Sequence, residues 1–265
     1  MVSFREFLQA FREVGINSDQ PVIVHASLSS VGEIRGGADT VLGALLAAAR
    51  GVMSPTFTYK TMIIPEVGPQ DNACAYGTGK DQNRLAEFFH PDMPADPMMG
   101  ILPEIIRQHP GARRSMHPIL SFSGIHVDAA LAAQTLEIPL APVGVLAEEN
   151  GVVLLIGVNH TVNTSIHYGE KLAGRKQFTR WALTTKGIIS CWGFPGCSQG
   201  FEAISPWLEE AVIRVQLGEA LIQAIPLVNL MEAVGNLLKE EPLALLCERP
   251  DCGRCNAIRT SVANQ

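Results

Sequence analysis

The chain has 265 residues, 47% of them hydrophobic, with 20 Lys and Arg against 26 Asp and Glu and a formal charge of −6. That apolar fraction fills a sizeable core, and the acidic balance, with no basic run beyond Arg113 and Arg114, argues against nucleic acid as a partner and favours a cationic small substrate. Arg5 and Glu6 fall where a signal peptide needs its apolar run and no stretch approaches ~18 uncharged apolar residues, so a cytoplasmic protein without a membrane partner is expected.

Phe4, Phe7, Leu8, Phe11 and Val14 follow the spacing of an amphipathic helix, with Ser3 as N-cap and Gly15 as its stop. "PVIVH" (21–25) reads as a buried strand, "ASLSSVGEIRGGAD" as a loop of small residues, "TVLGALLAAAR" as a helix and "GVMSP" as a second strand. This order suggests a βαβ unit and a parallel sheet. Residues 60–97 are rich in Pro, Gly, Asn and Asp, and are expected to form a long excursion with one short helix near "NRLAEFF", serving as a lid or binding wall. "MMGILPEIIRQ" reads as a helix if Pro103 lies in its first turn, and "HVDAALAAQTL" as another. "GVVLLIGV" is the clearest buried strand and "KQFTRWALTT" a more exposed one, while the C-terminal third from Ser205 is expected to be mostly helical. Neither an internal repeat nor a linker divides the chain, so 1–265 is expected to form a single large α/β domain. Its central sheet should be mixed, largely parallel and flanked by helices.

Several motifs carry possible chemistry. The three glycines and small residues of "SLSSVGEIRGGAD", ahead of a helix starting near Ala38, suit either a phosphate cradle or an ordinary connection. "AYGTGKD" is no P-loop, because Cys74 replaces the first glycine and Asp81 the hydroxyl residue. "GCSQG" fits a nucleophile-elbow pattern, yet no histidine follows Ser198 to complete the usual order. Cys247, Cys252 and Cys255 form a C-x4-C-x2-C array in the 247–255 tail, to which Cys191 or Cys197 can add a fourth thiolate for structural zinc; the alternative is reduced, packed cysteines. In "HTVNTSIHYGE" (160–170), directly after the buried strand, Thr164, His167 and Glu170 share i, i+3 relations on a helix that Thr161, Asn163 or Thr164 would cap. A histidine just past the carboxyl end of such a strand sits where α/β sheets place ligands and suits proton abstraction, with His160 as a competitor. A metal site of His160, His167 and Glu170 matches no H-E-x-x-H signature.

Three blocks in order, "VHASLSSVGEIRGGADTVLGAL" (24–45), "MMGILPEIIRQHPGARRSMHPILSFSGIH" (98–126) and "GVVLLIGVNHTVNTSIHYGE" (151–170), together resemble the aminoglycoside 3-N-acetyltransferase family, which is distinct from the GNAT acetyltransferases. The resemblance implies acetyl-CoA as cosubstrate, an aminoglycoside or other amine as acceptor, antibiotic resistance as outcome, and no metal required for catalysis. It implies His167 as general base with Glu170 as the carboxylate of the same motif. Cofactor contacts would come from Ser27, Leu28, Ser29, Ser30, Val31 and Gly32, aided by Arg114 and Ser115, with His25 and Thr164 in adjoining blocks. A Thr164 hydroxyl or backbone N–H groups would steady the oxyanion. Ala141 stands where family members commonly carry a serine near the cofactor. Because a polycationic acceptor needs carboxylates, Asp71, Asp96, Glu104 and Glu202 are candidate substrate contacts. Acceptors of another kind, or a zinc-stabilised binding module without catalysis, are the alternative readings. A monomer or a homodimer fits the apolar C-terminal faces equally.

Overall fold

The computed structural model describes residues 1–264. Helix α1 (Phe4–Glu13) starts in a capping box: the Ser3 hydroxyl accepts from the Glu6 N–H at 3.5 Å and the Glu6 carboxylate accepts from the Ser3 N–H at 2.8 Å. Its Phe7 and Phe11 are fully buried, and Gly15, at φ +88°, lets the chain turn towards β1 (Pro21–Ala26). Then follow α2 (Gly37–Ala48), β2 (Gly51–Pro55), β3 (Met62–Ile63), α3 (Lys80–Arg84), α4 (Ile101–Gln108), β4 (Arg113–Arg114), β5 (Phe122–Ile125), α5 (Asp128–Ala132), α6 (Ala141–Glu148) and β6 (Val152–Ile156). The chain continues through α7 (Thr164–Leu172), β7 (Phe178–Thr184), β8 (Gly187–Phe194), β9 (Ile213–Leu217), β10 (Ala220–Pro226), α8 (Leu227–Glu240) and α9 (Gly253–Ala263). No helix among the described residues is long and apolar enough to cross a membrane.

The main sheet has the order β4-β5-β2-β1-β6-β10-β9, and a smaller sheet the order β3-β7-β8. The main sheet is mixed and flanked by helices, as expected, but its parallel pairing is confined to the central trio β2-β1-β6. Its outer pairs are antiparallel, because β5 runs against β2 and a tight β9–β10 hairpin adds the far edge. Alternate residues of the trio face opposite ways. Ile23, Met53, Val153 and Leu155 join the core under α6, α7 and α8, while Val22, Val24, Val52, Leu154 and Ile156 join the one under α1, α2 and α4. Both faces are apolar, so these strands read as continuous hydrophobic runs.

Two expectations need correction. The C-terminal third is not mostly helical from Ser205: after a 3-10 segment (Phe201–Leu208), residues 213–226 form the β9–β10 hairpin, and regular helix resumes at Leu227. Ile213, Val215 and Leu217 pair with Ala224, Ile222 and Ala220, a period-2 alternation that folds at Gly218 (φ +57°). The short helix of the excursion is Lys80–Arg84, ahead of most of "NRLAEFF"; its last turn ends at Leu85, and Phe89 instead donates its N–H to Leu183 in β7. Pro103 does fall in the first turn of α4.

The loop after β1 is tied to the end of β6: the Ser30 hydroxyl donates to Ser27 O at 2.6 Å and to Gly157 O at 3.1 Å. Gly157 has φ +61°, and a Cβ there would sit 1.8 Å from Ser30 Oγ. Gly157→Ala is therefore expected to destabilise the protein by on the order of 2–3 kcal/mol, the cost of left-handed backbone plus a displaced serine. Urea unfolding checks this, and an unchanged midpoint would remove the tie from the account of the site's geometry.

Candidate active site

The carboxyl ends of β1, β2 and β6 open together, and the chain segments leaving them line one cavity of about 1140 Å³. His25, Ala26, Ser27, Leu28 and Ser29 come from the β1 end, Ser54 and Pro55 from β2, and Val158, Thr161, Asn163 and Thr164 from the segment after β6. This is the crevice that an open sheet with parallel strands leaves outside its carboxyl ends. The 60–97 excursion lines part of the cavity through Met62, Gln82 and Pro97, and the smaller sheet adds Arg180 and Phe194. Gly196–Gln199, Arg249 and Arg254 complete the rim.

His167 faces this cavity from the first turns of α7, where Asn163 serves as N-cap, accepting the Ser165 N–H at 3.2 Å. One turn on, Glu170 is 1% exposed and its Oε2 lies 2.8 Å from His167 Nδ1. The carboxylate selects the tautomer with the proton on Nδ1 and leaves Nε2 as the basic nitrogen. The other carboxylate oxygen, Oε1, lies 3.6 Å from Nε of buried Arg175, whose Nη2 donates to Ala244 O at 2.9 Å. Phe201 packs edge-on against the imidazole with ring centroids 4.5 Å apart, so the ring is held by a carboxylate and an aromatic side chain. Gly169 allows α7 to approach α8 closely: a Cβ there would lie 2.9 Å from Val234 Cβ. The competitor His160 is 2% exposed and does not line the cavity; its Nδ1 lies 3.3 Å from Asn163 Nδ2, and burial lowers its pKa.

The remaining residues singled out in the sequence divide. His25, Ser27, Leu28, Ser29 and Thr164 line the cavity, with the Ser27 and Ser29 hydroxyls 3.2 Å apart. Ser30 ties the loop to Gly157, Val31 is buried in the core, and Gly32 turns the chain at φ +88°. Arg114 lies off the cavity, spending its donors on Pro91 O, Met93 O, Thr56 O and Ser121 Oγ, and Ser115 exchanges hydrogen bonds with the backbone of Phe122. None of Asp71, Asp96, Glu104 and Glu202 lines the cavity. Asp96 caps the Pro97–Met99 turn, and Glu202 accepts from the His160 N–H and the Ser205 hydroxyl. Burial would raise the Glu104 pKa, but hydrogen bonds from Arg107, the Ala95 N–H and Gln108 hold it below the carboxylate range.

Sequence reasoning missed the charges that do line the cavity, Arg180, Arg249 and Arg254. Arg180 is buried over Phe194, 5.1 Å from its ring centroid, and donates to Asn72 O at 3.0 Å. Arg254, 5.8 Å from the same centroid, donates to Gly196 O at 2.8 Å. One signal was available: Arg180 interrupts the buried positions of an alternating strand, where an arginine is retained only if its charge is matched. Tyr59, also on the cavity wall, is pushed up to about 12 by burial and stays a neutral phenol. Cys197 joins Cys247, Cys252 and Cys255 in one cluster, whereas Cys191 lies in the apolar core.

Comparison with known proteins agrees with this geometry. The sequence profile of the aminoglycoside 3-N-acetyltransferase family matches residues 23–239, and the chain belongs to that family, as an N-acetyltransferase. It is 27% identical over 225 residues to aminoglycoside N(3)-acetyltransferase III of Salmonella sp, covering 74% of this chain and 77% of the relative. Its fold is similar to that of the aminoglycoside acetyltransferase AAC(3)-IVa apoenzyme, with a TM-score of 0.79 at 23% identity over 98% of each chain. It is also similar to AAC-IIIb in a binary complex with CoASH, with a TM-score of 0.72 at 19% identity, over 90% of this chain and 96% of that one.

Two buried histidines make stability depend on pH. Burial lowers His25 to about 3 and His117 to about 4, and the His117 Nδ1 accepts the N–H groups of Ile119 and Leu120. Both titrate near 6.5 in the unfolded chain, which therefore holds more protons than the fold between about pH 6.5 and pH 3–4. Stability is intact above that window and falls as pH drops through it, by up to about 1.4 kcal/mol per pH unit for each histidine. His117→Asn, whose Oδ1 can accept the same N–H groups, should flatten the dependence between pH 7 and pH 5. Parallel wild-type and variant denaturation curves over that range would count against it.

Proposed function

We propose that the chain transfers the acetyl group of acetyl-CoA to an amino group of an aminoglycoside, and so confers resistance to it, with His167 as general base. The observation that carries this reading is the His167–Glu170 pair, buried on one side and presented on the other to a cavity large enough for two substrates. The relatives' activity and the related complex with CoASH support the substrate pair.

In the reaction the acceptor nitrogen attacks the thioester carbonyl while His167 Nε2 takes its proton. Glu170 keeps Nδ1 protonated and faces the imidazolium that forms, with no proton transfer to the carboxylate needed. Negative charge builds on the carbonyl oxygen. The amino end of α7, where Thr164 lines the cavity, offers backbone dipole and a hydroxyl to that oxygen. As the tetrahedral species collapses, the carbon–sulfur bond breaks and the imidazolium returns the proton to the CoA sulfur. Cofactor contacts are assigned to the loop Ser27–Ser29 with His25, whose buried Nε2 has no partner within the protein.

One observation favours a second acceptor. The charged groups lining the cavity, apart from histidine, are Arg180, Arg249 and Arg254, without a carboxylate among the described lining residues. This suits an amine that also carries an anionic group better than a polycation. CoA thiol release with gentamicin-class aminoglycosides and with carboxylate-bearing amines separates the two. Release that depends on the aminoglycoside supports the first reading, release with the anionic amines alone supports the second, and silence with both, CoA still binding, rejects both acceptors in favour of another amine.

His167→Ala should lower kcat about 10²–10⁴-fold, the usual contribution of a positioned base, while CoA Kd measured by calorimetry stays within a factor of about two. Lost CoA binding by a folded variant would reject the role. Glu170→Gln should lower kcat about 10–100-fold with little change in KM.

A further inference from the structure

The loop between α8 and α9 runs from Glu241 to Cys252 without a strand or regular helix, yet it forms part of the cavity rim through Arg249. Three of its neighbouring residues are cysteines, and a fourth arrives from the loop after β8. Cys197, Cys247, Cys252 and Cys255 are all buried, and their sulfurs lie within 4.8 Å of one another. They form a cluster separate from the two main cores, with Leu246 packed beside it. Apolar packing therefore gives a poor account of why four thiols converge here.

Four buried cysteine sulfurs held this close together make the donor set of a closed metal site. Arg249 lies in the same loop, between Cys247 and Cys252, and lines the cavity rim. Cys252 is the residue before α9 and Cys255 sits in its first turn, so the C-x2-C pair is held at a helix start, where the Asn256 N–H donates to Cys252 O at 2.9 Å. Four sulfurs around a tetrahedral ion with bonds of about 2.3 Å lie about 3.8 Å apart, within the span found here. Such an all-thiolate set selects a soft ion, and four thiolates with Zn²⁺ leave two negative charges for arginine to face.

We propose that Cys197, Cys247, Cys252 and Cys255 bind one structural Zn²⁺ that fastens the C-terminal segment to the loop after β8. All four positions are protein sulfurs, which leaves no open position for substrate or water, so the ion has no part in acyl transfer. Its effect on the reaction is architectural. Cys197 lies between the rim residues Gly196 and Ser198, and Arg254 lies between Cys252 and Cys255, so the ion fixes the spacing of this side of the rim. This last consequence rests on the transferase reading, while the metal site itself does not.

The test is elemental analysis of the full chain purified without chelator and under reducing conditions. One zinc per chain is expected, released in step with four thiols on titration with an organomercurial and detected with a zinc-binding dye. Replacement by Co²⁺ should give the visible absorption of tetrahedral cobalt thiolate. Cys252→His preserves a known ligand type and should retain zinc, Cys255→Ser should lose it, and Cys74→Ser should leave it unchanged; Cys74 lies outside the cluster and the cavity lining. If Cys255→Ser fails to fold, the mercurial titration of the wild-type protein still decides the matter. No bound zinc with four free thiols, iron in its place, or two disulfides on thiol counting in denaturant would each overturn the proposal. Where turnover is measurable, zinc release should raise the acceptor KM at least tenfold and leave CoA Kd unchanged.

Discussion

Three parallel strands fix the position of everything chemical in this protein. Because β2, β1 and β6 run the same way, their carboxyl ends meet at one edge, and each strand hands over to a loop at that edge. Backbone groups that leave a sheet must find other partners. Here the loops find them in one another, as where Ser30 bridges Ser27 and Gly157 and where the Ser54 hydroxyl donates to Val24 O at 3.0 Å. The crevice is thus held open by hydrogen bonds that belong to the sheet's own ends. The antiparallel strands outside the trio widen the platform without closing over it.

The His167 imidazole is positioned by a different set of contacts. His167 depends on one carboxylate, one aromatic edge and the close approach of two helices at Gly169, all below the cavity floor and out of reach of solvent. The charge distribution around it is asymmetric. Carboxylates sit behind the imidazole or on the outer surface, and guanidinium groups sit across the cavity from the β1 loop. Part of that guanidinium charge is already committed to backbone carbonyls and to the Phe194 ring. An acceptor entering this space meets partly neutralised arginines.

Much of this was legible in the sequence where the signal was local. The N-cap at Ser3, the apolar runs of β1, β2 and β6, and the i, i+3 relation of His167 and Glu170 each follow from spacing alone, and the crevice follows from the strand order. The β9–β10 hairpin was obscured because Leu, Ala and Ile, which also favour helices, occupy its alternating positions, and a single glycine marks its turn. The candidate acids were chosen because they fall in loops or motifs near the expected cleft, which does not report direction: Glu104 turns to Arg107 on its own helix, and Glu202 to the His160 N–H and the Ser205 hydroxyl. Arg180 in β7 and the pair Arg249 and Arg254 in the tail reach the cavity from two distant stretches of chain, a convergence that only the tertiary structure reveals. The fourth cysteine of the cluster was left open between two candidates for the same reason.

The two sides of the cavity are built from unlike materials. The β1 loop and the start of α7 rest on the sheet, whereas the facing wall consists of the 60–97 excursion, the loop after β8 and the tail, all long connections with little regular structure. Sequence change on the sheet side disturbs strand register and His167 together. The facing side is not independent of it either: Phe201 directly follows the loop after β8, and Ala244 of the tail accepts from the Arg175 that faces Glu170. A change in either segment therefore reaches the imidazole through its supports, although neither segment carries it.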